Sequence, residues 1–326
     1  MLKSRIVGTG SYLPAKTIDN TFLSTIVETS DDWITERTGI RSRHIASEET
    51  TIFMGAAAAR AALCMSGLDA GSIDLILVAT LTPDYAMPNA ACMIQAELGA
   101  KNALCFDISA ACSGFLFGLQ TADAYIRSGM CKHALIIGAE TLSRTVDWTD
   151  RSTCILFGDG AGAAVLSASD ANTGFIDFVS GSDGSMGSVL ELKNRPIVNP
   201  YRTATEEEKA ISYMYMNGQE VFKFAVRKVP EIILAITEKN NITPDEIDHY
   251  ILHQANERIL QSVSKRLSLP IERFPMNLDK CGNTSAASIP ILLDECNRSG
   301  LLKKGDRLIL SGFGGGLTWG CALLEW

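Results

Sequence analysis

The sequence predicts a layered α/β protein built from two similar halves, and three observations carry that expectation. Strand-like and helix-like segments alternate along the 326 residues with no low-complexity tract or linker between them. The strand-like runs are largely apolar, as strands covered on both faces are. Residues 69–80 (DAGSIDLILVAT) also resemble residues 244–254 (PDEIDHYILHQ), which marks an internal repeat.

Taken in chain order, residues 69–80 are a loop carrying Ile-Asp and then a hydrophobic strand. Leu104, Phe106 and Ile108 alternate as strand residues do, and Phe115, Leu116, Leu119, Ala122 and Ile126 recur at helical spacing. That helix closes on Arg127-Ser128-Gly129, and a strand over 133–138 follows. The run from Gly158 to Gly162 superficially matches a dinucleotide fingerprint. The Ala-Ala-Val-Leu behind it reads as a strand rather than a phosphate-capping helix, so no cofactor is expected there. The second half repeats the order: a strand ending near 254, a small-residue turn, a helix closing on Arg298-Ser299-Gly300, and a strand over 307–311. Residues 313–317 (FGGGL) then make a tight turn before a last strand over 318–324. Superposing the two Arg-Ser-Gly tripeptides sets Cys112 opposite Asn283, and the halves divide as 1–172 and 173–326.

Composition excludes several classes. The chain is long enough for a large core, and no apolar run approaches the ~18 residues of a membrane span. The N-terminus runs straight into a strand-like segment, so no secretory leader is expected. Nine cysteines, an odd number without any C-x-x-C, suggest a reducing cytosol. His44, His133, His249 and His253 show no metal-ligand spacing with them. A net charge of −8 argues against nucleic acid or an anionic membrane as the main partner.

Over residues 107–115 (DISAACSGF) the strand turns sharply into the helix, which sets Cys112 at a helix N-terminus. Unsatisfied N–H groups and the positive end of the macrodipole favour thiolate there. Ala110, Ala111, Ser113 and Gly114 are small enough to admit a carbonyl. A cysteine among alanines is equally ordinary as core filler. His253 ends an apolar strand, where a lone histidine is commonly a hydrogen-bonded core residue, and Asn283 in a GNTSAAS loop suits a turn or N-cap. Their conjunction points further. A duplicated fold brings the ends of equivalent strands together, where open α/β folds place ligands. The three side chains then supply a nucleophile and two groups that stabilise negative charge, and the glycine-rich turn at 313–317 offers a backbone N–H to an oxyanion hole.

At these residues the chain resembles the β-ketoacyl-acyl carrier protein synthase III family, condensing enzymes of the thiolase superfamily. The resemblance spans the whole chain through DDWITERTGIRSRHIA, AACSGF, FGDGAGAAVL, HQANERI, GNTSAASIP and the terminal GGGLTWG. It implies a thiolase-like duplicated five-layered α-β-α-β-α fold, a homodimer, and a decarboxylating condensation of an acyl-CoA primer with malonyl-acyl carrier protein. Cys112 becomes the acyl-accepting nucleophile, His253 and Asn283 complete the triad, and the N–H groups of Cys112 and Gly315 form the oxyanion hole. Trp33 and Arg151 match the pair that holds the adenine of coenzyme A. Arg37 and Thr38 match nucleotide contacts, and Met216, Gly218, Ala255 and Asn256 match the pantetheine tunnel. Lys223, Arg258, Lys265 and Arg266 match carrier-docking positions, and Arg227 and Lys228 lie in the same basic stretch. No permanently bound cofactor and no metal are implied.

Several positions depart from the family pattern. Leu252 stands where proline is usual and Ser152 where glycine is common. Met87 replaces the phenylalanine that many members insert from the partner subunit into the acyl pocket. Methionine is slimmer and more adaptable, so primers longer or more branched than acetyl are expected. Residues 187–215, with Glu206-Glu-Glu-Lys209, read as an exposed loop near the tunnel. Other readings stay open at this stage. A condensing or acyl-transferring enzyme of secondary metabolism shares the triad, and a papain-like hydrolase shares the order Cys, His, Asn. A biosynthetic thiolase would need a second cysteine where Phe313 stands.

Overall fold

The computed structural model describes residues 3–169, 173–210 and 212–326. Its nine principal strands are β1 (Lys3–Tyr12), β2 (Leu75–Ala79), β3 (Leu104–Ile108), β4 (His133–Glu140), β5 (Gly160–Ser169), β6 (Gly174–Ser182), β7 (His249–Leu252), β8 (Arg307–Gly314) and β9 (Thr318–Glu325). The helices that matter for the site are α1 (Asp31–Thr38), α2 (Thr51–Ser66), α3 (Ala90–Leu98), α4 (Gly114–Arg127), α5 (Gly218–Lys239), α6 (Glu257–Leu267) and α7 (Ser288–Arg298).

Two mixed sheets share one topology. The first runs β1-β5-β4-β2-β3 and the second β6-β9-β8-β7. In each, two parallel strands (β2 and β4, β7 and β8) continue into two antiparallel neighbours. Among the described residues only β3 lacks a counterpart. The expected division at 172 falls on 170–172, outside the described residues.

Strand alternation builds the layers. Leu75 and Leu77 face inward with Leu308 and Leu310, onto a core shared with α4 and α7 between the sheets. Ile76 and Val78 face outward onto α2 and α3. Ile309 and Leu323 face the other way, onto α5 and α6. Five layers result, in the order α-β-α-β-α.

The repeat is less regular than the superposed tripeptides imply. α4 has 14 residues and α7 has 11, although both end in Arg-Ser followed by a glycine at positive φ. Their starts also match, each preceded by a single 3₁₀ turn (Ala111–Ser113, Ser285–Ala287) whose first residue has positive φ, 45° at Ala111 and 49° at Ser285. Measured from these turns, Cys112 sits opposite Ala286, and the pairing with Asn283 is corrected. A helix three residues shorter absorbs the difference.

Candidate active site

Cys112 occupies the turn before α4, one turn ahead of a helix whose N-terminus has no side-chain cap. Ala111 holds φ at 45°, a conformation that costs a non-glycine residue about 1–2 kcal/mol. The end of β8 presses on this turn: a Cβ built on Gly314 would lie 2.6 Å from the Cys112 backbone N. Gly315 lies next along that strand end and lines the same cavity.

His253 follows β7 directly, its N–H bonded to Ser311 O at 2.8 Å. Its Nδ1 lies 2.6 Å from Ser288 Oγ at the start of α7, and Phe313 meets the ring edge-on with centroids 5.5 Å apart. The Gln254 N–H donates to Ser288 Oγ at 3.4 Å. When Ser288 Oγ donates to Nδ1, the neutral ring carries its proton on Nε2. Asn283 is pinned by backbone bonds to Leu156 and Gly158, and its Oδ1 accepts the Ser285 N–H at 2.9 Å. Its NH₂ is left as the donor.

Cys112, His253 and Asn283 all open onto one cavity of about 1140 Å³. They form its buried end, while Arg37, Arg151 and Arg258 form an exposed one. The elements that carry the triad lie far apart in sequence, and convergence of the two sheets joins them.

Electrostatics correct one expectation. Burial pushes the Cys112 thiol up to about 12, with the Glu140 carboxylate adding to the rise and Ser285 opposing it. The resting nucleophile is a thiol, because the helix terminus does not offset removal from water. Burial also pushes His253 down to about 3, so the imidazole is neutral.

Glu140, at the end of β4, is wholly buried and pushed up to about 7 by burial. The folded state prefers the protonated carboxyl. Its contribution to stability is full below the ordinary value of 4.5 and is lost as pH rises through about 7. Relative to wild type, Glu140→Gln is expected to gain up to about 3 kcal/mol of stability between pH 5 and pH 8. Melting curves of both proteins across that range check this, and a constant difference contradicts it.

The expected coenzyme A residues all line the cavity, with differences in how free they are. Arg37 and Arg151 lie over the Trp33 ring, 4.5 and 4.9 Å from its centroid. The expected stacking of a ring between Trp33 and Arg151 would need about twice the ~3.5 Å contact spacing, more than the 4.9 Å present. The Thr38 hydroxyl is already bonded to Ile34 O and Ile40 N. Asn256 caps α6 through Oδ1 and donates Nδ2 to Arg37 O. Met216, Gly218 and Ala255 also line the cavity. Met87 is absent from its own chain's cavity and stands 87 % exposed.

Lys223, Arg258, Lys265 and Arg266 all lie exposed on α5 and α6, which pack together beside the cavity's exposed end. Lys223 pairs with Glu220 at 2.9 Å, and Arg258 stacks over Phe222 at 5.8 Å. Lys228 leaves that cluster: it turns inward over Trp319 at 4.7 Å.

Residues 187–215 are only partly the exposed loop expected. Residues 190–191 pair with 215–216 as a short ladder, and Leu190, Leu192 and Met214 pack with Leu23, Ile34 and Ile155 to form a cavity wall. Sequence reading also missed Glu140, Ser285 and Ser288. The serines are legible only as small residues in a glycine-flanked loop.

Comparison with known proteins completes the picture. Residues 106–184 match the family described as 3-oxoacyl-[acyl-carrier-protein] synthase III, and residues 237–326 match its C-terminal region. A β-ketoacyl-[acyl-carrier-protein] synthase III of Clostridium botulinum (strain Loch Maree) is 52% identical over 321 residues, 98% of each chain. The crystal structure of 3-oxoacyl-[acyl-carrier-protein] synthase III from Aquifex aeolicus superposes with a TM-score of 0.93 at 45% identity, covering 99% of this chain and 100% of that one. The priming β-ketosynthase of the R1128 polyketide pathway follows at TM-score 0.92 and 37% identity, covering 99% and 96%. With half its length identical to such relatives and a cysteine turn, a histidine strand end and an asparagine loop converging on one cavity, the chain belongs to the 3-oxoacyl-[acyl-carrier-protein] synthase III family.

Proposed function

We propose that this protein condenses an acyl-CoA primer with malonyl-acyl carrier protein, releasing carbon dioxide and giving the 3-oxoacyl-carrier product that initiates fatty acid synthesis. The observation that carries the reading is the joint opening of Cys112, His253 and Asn283 onto one deep cavity whose exposed end holds Trp33 and three arginines.

Cys112 attacks the acyl thioester, and its own N–H with that of Gly315 holds the oxyanion. Free coenzyme A leaves and the malonyl group enters. As carbon dioxide departs, the enolate oxygen is held by His253 Nε2–H and the Asn283 NH₂. The enolate carbon then attacks the acyl carbonyl on Cys112. A neutral imidazole suits this step, because only the neutral tautomer set by Ser288 donates from Nε2 without a charge to desolvate. Acyl-CoA is a substrate here and no resident cofactor is invoked.

Exposed Met87 and Tyr85, beside the exposed edge strand β3 with Leu104, support a homodimer in which Met87 enters the partner's acyl pocket. Nine unpaired cysteines support a reducing compartment. Among the described residues no helix is long and apolar enough to cross a membrane.

Incubation with acyl-CoA and malonyl-carrier protein, with mass detection of the 3-oxoacyl product, tests the reading; absence of that product contradicts it. The 37% identity to a polyketide-priming enzyme favours one second reading, condensation in secondary metabolism. A panel of primers in the same assay separates the two, with branched and longer primers accepted beside acetyl on the Met87 argument. Strict acetyl selectivity contradicts that argument. The basic α5–α6 face supports docking of an acidic carrier. Lys265→Glu, on α6 but outside the cavity lining, is expected to raise the carrier KM about tenfold at low salt while sparing acyl loading. Equal effects on both steps contradict docking there.

A further inference from the structure

Arg43 is fully buried, yet among the described residues no carboxylate lies within ion-pair distance of it. Burial lowers its pKa only to about 10, so the guanidinium stays charged at neutral pH. Its Nε–H has no hydrogen-bond partner. A cation taken out of water without a counter-ion is expensive, so what its other donors hold must offset the cost.

Those donors join a fixed group to an unsupported one. Nη1 donates to Asn20 Oδ1 at 2.9 Å and Nη2 to Ile155 O at 2.5 Å. Asn20 is anchored: its Nδ2 donates to Asp31 Oδ1 and to Ile40 O, both at 2.8 Å, at the start of α1 and just beyond its end. Ile155 has no such frame, because residues 151–159 belong to no helix or strand. That segment nevertheless carries Asn283. Leu156 O accepts the Asn283 N–H at 2.8 Å, the Gly158 N–H donates to Asn283 O at 3.0 Å, and Phe157 pairs with Asn283 as an isolated parallel bridge. The stem of Arg43 lies beneath both segments: a Cβ on Gly158 would stand 3.2 Å from Arg43 Cβ, and one on Gly282 3.1 Å. Ile155, Leu156, Phe157 and Asn283 all line the cavity, and Arg43 does not.

We propose that Arg43 is a positioning residue for Asn283. Its guanidinium braces Ile155 O against Asn20, and the bridge through Leu156 and Gly158 then aims the Asn283 NH₂ at the enolate oxygen that forms as carbon dioxide leaves. A donor misplaced by about 1 Å loses roughly 10²-fold in rate. The oxyanion hole used in loading is built elsewhere, on the Cys112 turn and the end of β8, and does not depend on this brace.

The inference rests on the synthase reading, and the experiment distinguishes the two failures. Acyl loading at saturating acyl-CoA and carbon dioxide release from malonyl-carrier protein are timed for wild type, Arg43→Met, Arg43→Lys and Asn283→Ala, and for each Arg43 variant combined with Asn283→Ala. Saturation removes any change in affinity transmitted through Asn20 to α1. Arg43→Met is expected to slow carbon dioxide release about 30-fold, less than outright loss of a donor, and loading by at most about threefold. Arg43→Lys keeps the charge without the planar fork that spans both oxygens, and should slow release about fivefold. Beside Asn283→Ala neither change should slow release further by more than about twofold, because the donor they aim is gone. If Arg43→Met does not fold, Arg43→Lys carries the same comparison. Equal slowing of both steps, unchanged release in the folded Arg43 variants, or a loss that persists in full beside Asn283→Ala overturns the positioning role alone. Unchanged release in Asn283→Ala, or a wild type never acylated on Cys112, overturns the synthase reading and the inference with it.

Discussion

Replacing His253 by alanine is expected to slow malonyl decarboxylation roughly 10²–10³-fold while leaving acyl loading of Cys112 within about tenfold of wild type. The asymmetry follows from the state of the ring. Burial holds the imidazole neutral, down to about 3, and the Ser288 hydroxyl occupies Nδ1 at 2.6 Å. With Ser288 Oγ donating to Nδ1, one ring N–H remains to be given and no basic nitrogen to receive. Such a donor acts where an enolate oxygen gathers charge, which happens as carbon dioxide leaves, and not where the thiol loses its proton. Because the ring is already neutral, decarboxylation should also show no histidine inflection between about pH 6 and 7. Release of carbon dioxide and uptake of acyl mass report the two steps separately. Equal losses in both contradict the assignment.

Gly314→Ala is expected to strike the other step nearly as hard. The added Cβ would lie 2.6 Å from Cys112 N and 3.2 Å from both Ser113 N and Ala111 Cβ. Two of these neighbours are backbone, so the turn must shift, moving the Cys112 and Gly315 N–H groups off the position of the developing oxyanion. Misplacing one such donor costs about 10²–10³ in rate. Overpacking of this kind costs about 1–3 kcal/mol of stability, which leaves a folded enzyme on which loading can be timed. Unchanged loading contradicts the placement of the oxyanion hole.

Much of this site was legible in the sequence, for reasons visible in particular residues. The strand period before Cys112 and the helical period after it located a sharp turn, and the repeat implied that His253 and Asn283 come from matching regions of the other half. The Ala-Ala-Val-Leu after Gly162 read rightly as strand, although β5 starts earlier, at Gly160. What escaped was tertiary. A helix three residues shorter displaced the pairing of Cys112, because a tripeptide match fixes only one end of an element. The thiol's resting state turned on burial, which local sequence does not report. Glu140 carries no mark in the sequence, and Thr80, Leu81 and Thr82 close round it only in the fold. Residues 187–215 lacked clear periodicity, yet Leu190, Leu192 and Met214 fold them into a wall. β3 was expected to be buried but is the half-exposed edge of its sheet.

The most direct measurement is the intact mass of wild type and Cys112→Ala after exposure to an acyl-CoA. Wild type should gain one acyl group, lose it when malonyl-carrier protein is added, and yield the 3-oxoacyl product, while the alanine variant gains nothing. Acylation that survives in Cys112→Ala, or that never occurs in wild type, would contradict a nucleophile at this turn.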